Sequence, residues 1–129
     1  MNALALAFVV DDNAINRKLA SALLKRLGWS TEEFDGAEPM LERLSTVRPV
    51  TVLLDISMPG VSGLSACERI RENPDWSDLH IVAYTAHAMP HERDRFLAAG
   101  FDDILIKPVN LSAMTRAIGS ADTPRALQT

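Results

Sequence analysis

The chain has 129 residues, 47% of them hydrophobic and 23% charged, with a net charge of −4 and a single cysteine, Cys67. That length suits one domain with its own core, and one cysteine can form neither an internal disulfide nor a cysteine-built zinc cage. Mixed charge with an acidic excess excludes a sequence-independent nucleic-acid binder, which needs a basic surface.

The opening apolar run, Ala3–Val10, falls far short of the ~20 residues needed to cross a bilayer. It has no preceding Lys or Arg and runs directly into Asp11–Asp12, so a secretory leader is a poor reading. A soluble, cytoplasmic domain is expected. Leu4–Val10 reads as a buried strand, and Ile15, Leu19, Leu23 and Leu27 then form a helical stripe closed by Gly28. Ser30–Phe34, with two adjacent glutamates, reads as an edge strand. Asp35 is placed to cap a second helix carrying Leu41, Leu44 and Val47, with Pro39 early enough to be tolerated. Val50–Leu54 is the next strand, and Ser62 or Gly63 opens a third helix with Leu64, Cys67 and Ile70 inward. His80–Tyr84 is a strand, residues 88–99 a half-exposed helix, and Ile104–Ile106 a short strand. Asn110 caps a fifth helix with Leu111, Met114 and Ile118 before Gly119. The polar residues from Ser120 are expected to fray, giving a domain over 1–120 and a tail over 121–129. Strands alternating with helices imply an α/β fold, a parallel sheet covered on both faces.

In an open parallel sheet, ligands bind beyond the carboxyl ends of the strands. The apolar runs end in Asp11–Asp12, Asp55, Thr85 and Lys107. Three carboxylates, a hydroxyl and an ammonium therefore converge on one rim. Clustered carboxylates repel, and burial adds to the cost of ionising them. A hard divalent cation relieves that repulsion, and oxygen ligands suit Mg²⁺ better than zinc. An aspartate carboxylate is also a competent nucleophile for phosphoryl transfer, with Lys107 and Thr85 placed to stabilise the transferring group. Singly, each residue has a plainer reading: Asp11–Asp12 as the acidic start of a helix, Lys107 as a solvated cation, Thr85 as a cap. His87 and His91 share helical spacing but lack a third ligand and read as solvated, while His80 reads as structural. Cys67, Trp29 and Trp76 read as packing residues, the Glu92–Arg95 region as a solvated helix face, and Gly60 and Gly63 as turn formers.

Val9-Val10-Asp11-Asp12-Asn13, Leu53-Leu54-Asp55-Ile56-Ser57-Met58-Pro59-Gly60 with Gly63, Thr85-Ala86 and Lys107-Pro108 resemble a response-regulator receiver domain over roughly residues 4–119. Asn13-Ala14-Ile15-Asn16-Arg17 is similar to the receivers of hybrid histidine kinases and phosphorelays. The resemblance implies a flavodoxin-like (βα)5 fold with strand order 2-1-3-4-5. It also implies Asp55 as phosphoacceptor, and Mg²⁺ on Asp11, Asp12, Asp55 and the Ser57 carbonyl. Thr85 and Lys107 would contact the phosphoryl group and couple it to the face formed by the fourth helix, fifth strand and fifth helix. A cis Lys107–Pro108 bond is expected. Ser57, Ala86 and His87 would tune the lifetime of the acyl phosphate by shaping water access, the small Ala86 leaving the site open to a phosphohistidine.

One position departs from the pattern: Ile104 stands where the family usually places Tyr or Phe. An isoleucine cannot swing a ring inward, so a muted response routed through the Thr85 loop is expected. The leading function is thus a signalling phosphoacceptor, a switch rather than a turnover enzyme. Its partners would be a histidine kinase or histidine phosphotransfer domain, without direct nucleic-acid contact or membrane insertion. The length leaves no room for an output domain, so output through a surface is expected. A Mg²⁺-dependent aspartyl phosphatase is disfavoured because Ser57 replaces the usual acid two residues after the nucleophile. A degenerate receiver acting as a phosphorylation-independent interaction module is the third reading.

Overall fold

The apolar runs do form strands, and a computed structural model describes residues 5–127. The strands are β1 (Leu6–Val10), β2 (Ser30–Phe34), β3 (Thr51–Asp55), β4 (His80–Thr85) and β5 (Asp103–Ile106). They alternate with α1 (Ala14–Arg26), α2 (Ala37–Leu44), α3 (Gly63–Arg71), α4 (Pro90–Ala99) and α5 (Leu111–Ala117). All strand pairs are parallel, in the order β2-β1-β3-β4-β5. That is the flavodoxin-like order the resemblance implied, with the glutamate-bearing β2 at one edge.

The central strands alternate between two apolar layers, as a sheet covered on both faces requires. Phe8, Val10, Val52, Leu54, Ile81 and Ala83 pack with Met40, Leu44, Cys67, Ile70 and Phe96 under α2, α3 and α4. Ala7, Val9, Leu53, Val82, Tyr84 and Leu105 pack with Ala20, Leu24, Met114 and Ile118 under α1 and α5. Each fully buried large aliphatic or aromatic side chain contributes roughly 1.5–3 kcal/mol relative to exposure. Cys67 and Trp29 are core residues, as the sequence predicts.

Three local predictions need correction. The inward face of α1 is formed by Ala20, Ser21 and Leu24, while Ile15 is 80% and Leu19 38% exposed. Small residues win this face because they let the helix approach the sheet closely, and Leu23 and Leu27 pack only at its margin. The N-cap of α2 is Gly36, with no side-chain bond, rather than Asp35, and Val47 lies past the helix end. The fraying expected from Ser120 is not seen over residues 120–127. Gly119 (φ 84°) turns the chain back where an added Cβ would meet Thr123 O at 2.5 Å. The returning segment pairs Gly119 with Pro124, and the Ala121 N–H donates to Leu27 O at 2.8 Å. Trp29 Nε1 donates to Gly119 O at 2.8 Å, tying the turn to the core. Leu4 of the predicted first strand and residues 128–129 of the tail lie outside the described residues.

The other helix starts follow the sequence. Ser62 and Asn110 cap α3 and α5 through their side chains, while α4 begins at Pro90, two residues after its predicted start. Among the described residues, no helix is long and apolar enough to cross a membrane.

Candidate functional site

Strand register assembles the site. Val10 lies opposite Leu54, Asp55 opposite Tyr84, and Thr85 opposite Ile106, so the next residues of β1 and β5, Asp11 and Lys107, reach the same rim. A cleft of about 540 Å³ opens there, with Asp11, Asp12, Asp55, Thr85 and Lys107 in its wall. Every residue the sequence assigned to the rim is therefore brought together. Ser57, Ala86 and His87 border the same cleft, all exposed.

Asp11 is completely buried and Asp55 is 2% exposed, whereas Asp12 is open to solvent. One oxygen from each of the three lies within 4.8 Å of the others. Lys107 Nζ sits between the buried pair, 3.0 Å from Asp11 Oδ2 and 3.1 Å from Asp55 Oδ1. The Ser57 N–H also donates to Asp55 Oδ1, at 3.2 Å. Asp55 Oδ2 is thereby left without a protein hydrogen bond among the described residues. Burial, reinforced by the charge of Asp11, pushes the Asp55 carboxyl up to about 6 against the opposing pull of Lys107 and the Ser57 N–H. Lys107 also lies over the Tyr84 ring, 4.8 Å from its centroid, which limits where the ammonium can go.

The donor set fits a hard divalent cation. Three carboxylates against one ammonium leave two negative charges uncompensated when all are ionised. Asp11 Oδ2 is buried with no hydrogen bond among the described residues, although the Lys107 ammonium is 3.0 Å away, so its acceptor capacity is not used up by the protein. Oxygen-only ligands of this kind suit Mg²⁺.

The loops are shaped for this arrangement. Asp11 Oδ1 accepts the Asn13 N–H at 2.8 Å, and Asn13 in turn caps α1 through the Asn16 N–H. Gly63 presses on the backbone of Asp55 so closely that a Cβ would lie 2.1 Å from Asp55 O. Its role is space rather than turn conformation, and it brings the start of α3 against the end of β3. Thr85 Oγ1 donates to His87 O at 2.9 Å and accepts the His87 N–H at 3.3 Å, so its hydroxyl is turned into the loop before α4. Lys107–Pro108 is cis. Ile104 is half-buried and packs against the core under α2, α3 and α4.

Four residues of the cleft neighbourhood escaped the sequence reading. Glu92 and Arg95 of α4 line its mouth, although their mixed signs read as a solvated face. Tyr84 read only as an apolar strand residue, and its position under Lys107 follows from register alone. Arg17 donates from Nη1 to the Asp11 carbonyl at 2.8 Å, a contact whose sole sequence signal was its place in the motif after Asp11–Asp12.

A family model described as "Response regulator receiver domain" matches residues 7–119. The signal transduction histidine-protein kinase BarA of Escherichia coli is 38% identical over 100 residues, covering 78% of this chain and 11% of that protein. The chain thus spans only about a ninth of the length of such curated relatives. A response regulator receiver protein from Pseudomonas putida superimposes with a TM-score of 0.78 at 30% identity, covering 87% of this chain and 93% of that one. The Vibrio cholerae chemotaxis protein CheY4 has a TM-score of 0.82 at 22% identity over 88% of this chain and 94% of that one, a likeness of fold.

Proposed function

Because the chain belongs to the response regulator receiver family of two-component phosphorelay signalling, we propose that Asp55 accepts a phosphoryl group from a phosphohistidine of a histidine kinase or histidine phosphotransfer domain. The observation that carries this reading is the state of Asp55: buried at the floor of an open cleft, with Oδ1 held by Lys107 and Ser57 and Oδ2 unengaged. A carboxylate oxygen of Asp55 attacks phosphorus while the bond to the donor imidazole nitrogen breaks, leaving its electron pair on that nitrogen. Asp11, Asp12, Asp55 and the Ser57 carbonyl would hold Mg²⁺, which when bound supplies charge neutralisation for the phosphoryl oxygens. Lys107, already within ion-pair distance of Asp55, balances the charge that remains on the acyl phosphate. Thr85 can donate its hydroxyl hydrogen bond to a phosphoryl oxygen only by releasing His87 O, so the same event frees the loop before α4. Ser57, Ala86 and His87 govern how readily water reaches the acyl phosphate.

This chemistry is a switch rather than turnover on an external substrate. Incubation with Mg²⁺ and acetyl phosphate, followed by intact mass measurement, tests it. One added phosphoryl group, absent in Asp55→Asn, is expected. No addition would favour the phosphorylation-independent interaction module, and sustained phosphate release from other phosphoesters would favour an aspartyl phosphatase.

A further inference from the structure

The three carboxylates are not equally well held. Asp55 Oδ1 has two donors and Asp11 Oδ1 has one, but Asp12 is exposed and has no hydrogen bond or ion pair among those of the described residues. The place of the Asp12 carboxylate in the cluster is therefore set by its backbone, and foremost by the peptide joining it to Asp11. That peptide's carbonyl belongs to Asp11, and Arg17 Nη1 donates to it at 2.8 Å. The guanidinium is itself anchored, since its Nε donates to Glu33 Oε1 at 3.2 Å. Its side chain is only 17% exposed, so the fork is packed in place rather than waving in solvent. Glu33 lies on β2 directly beside Val9, and the Asp11 N–H donates to Phe34 O at 3.0 Å. The edge strand thus grips the Asp11 peptide groups from both sides, once directly and once through Arg17.

We propose that Arg17 is a positioning residue for the cation site, acting through the Asp11 carbonyl to fix the Asp11–Asp12 peptide and hence the Asp12 carboxylate. The inference rests on the Mg²⁺ reading given above. Charge alone predicts the opposite effect. A guanidinium near a dication site repels the cation, and removing it would strengthen binding. Removing a clamp on the ligands weakens binding. The sign of the change in Arg17→Gln therefore separates the two roles. Lys18 supplies a matched control: its Nζ lies 3.1 Å from the same Glu33 oxygen, it is largely exposed, and it makes no contact with the Asp11 loop.

Calorimetric titration of Mg²⁺ into the unphosphorylated protein is the test, with thermal unfolding in chelator as the check on folding. Arg17→Gln is expected to bind Mg²⁺ roughly tenfold more weakly, the lower end of the loss typical for residues supporting metal ligands. Arg17→Lys, with one compact ammonium in place of a fork, should recover part of that loss. Lys18→Gln should bind as tightly as wild type or slightly tighter. In phosphorylation by acetyl phosphate, the Mg²⁺ concentration for half-maximal rate should rise in Arg17→Gln while the rate at saturating Mg²⁺ is retained, a split that general loosening of the fold would not give. Unchanged or tighter Mg²⁺ binding in Arg17→Gln overturns the proposal, as does an equal loss in Lys18→Gln. Failure of the wild-type protein to bind Mg²⁺ would instead overturn the metal reading itself, and the proposal with it.

Discussion

Asp55 carries a conflict within one side chain: the proposed chemistry needs its anion, and its surroundings favour its acid. Burial and the Asp11 charge push its carboxyl up to about 6, so below that pH a divalent cation must displace a proton to bind. Mg²⁺ affinity measured from pH 8 to pH 5 should be level above pH 7. It should then fall toward ~10-fold per unit below about 6, with the fall flattened in Asp55→Asn. An affinity that ignores pH across that window would contradict the geometry. Linkage has a definite sign here as well. A carboxyl raised above its unfolded value stabilises the fold below the unfolded pKa, and that contribution is lost as pH rises through about 6. Without divalent cation, Asp55→Asn should therefore be more stable than wild type at pH 7.5, on the order of 2–3 kcal/mol. The Asp55 anion is held at the expense of stability, as the proposed role of a reactive group requires.

At the scale of elements, the opposite ends of the same strands carry a polar contact of their own. At the start of β4, His80 Nδ1 lies 2.9 Å from Thr51 Oγ1 of β3. Burial lowers the His80 pKa; Asp102 and Asp103 resist that shift, while Arg71 and Arg125 reinforce it. The folded protein thus favours the neutral ring more than the unfolded chain does, which protonates it near 6.5. Its contribution to stability is complete above that value and disappears as pH falls below it. The urea midpoint of His80→Gln should accordingly show a smaller decline than wild type between pH 7 and pH 5, the difference between the two isolating this residue from Asp55. Identical declines would remove His80 from the account. Elements also show what the sequence made legible. Strands were readable because β1, β3 and β4 are nearly continuous apolar runs, and the rim residues were readable because polar groups end those runs. The face of α1 was not, because Ile15 and Leu19 suggest burial while Ala20 and Ser21 achieve it through close approach. The clamp by Arg17 was not, because it depends on β2 lying beside β1, and local periodicity carries no information about which strands are neighbours.

For the whole molecule, the question is how a bond made at the rim reaches a surface. Thr85 is engaged with His87 O in the loop leading to α4, whereas Ile104 is a half-buried aliphatic packed on the core with no ring to reorient. Met89 before α4, Leu97 on it and Ile106 on β5 leave apolar side chains exposed. Amide exchange with and without beryllium fluoride and Mg²⁺ should show altered protection over residues 85–92 and little over 103–106. A full response in β5 would mean that the switch does not need an aromatic residue there. Geometry also separates the place of chemistry from the places of attachment. Ala5, whose carbonyl accepts the Ser30 N–H, precedes β1, and Ala126 and Leu127 lie beside Val50 and Leu79, which precede β3 and β4. Both ends of the described chain therefore lie at the foot of the sheet, a full strand length from the rim. A dye, a bead or a neighbouring fold tied to either end would hang below the domain like a keel, leaving the mouth of the cleft clear for whatever docks above.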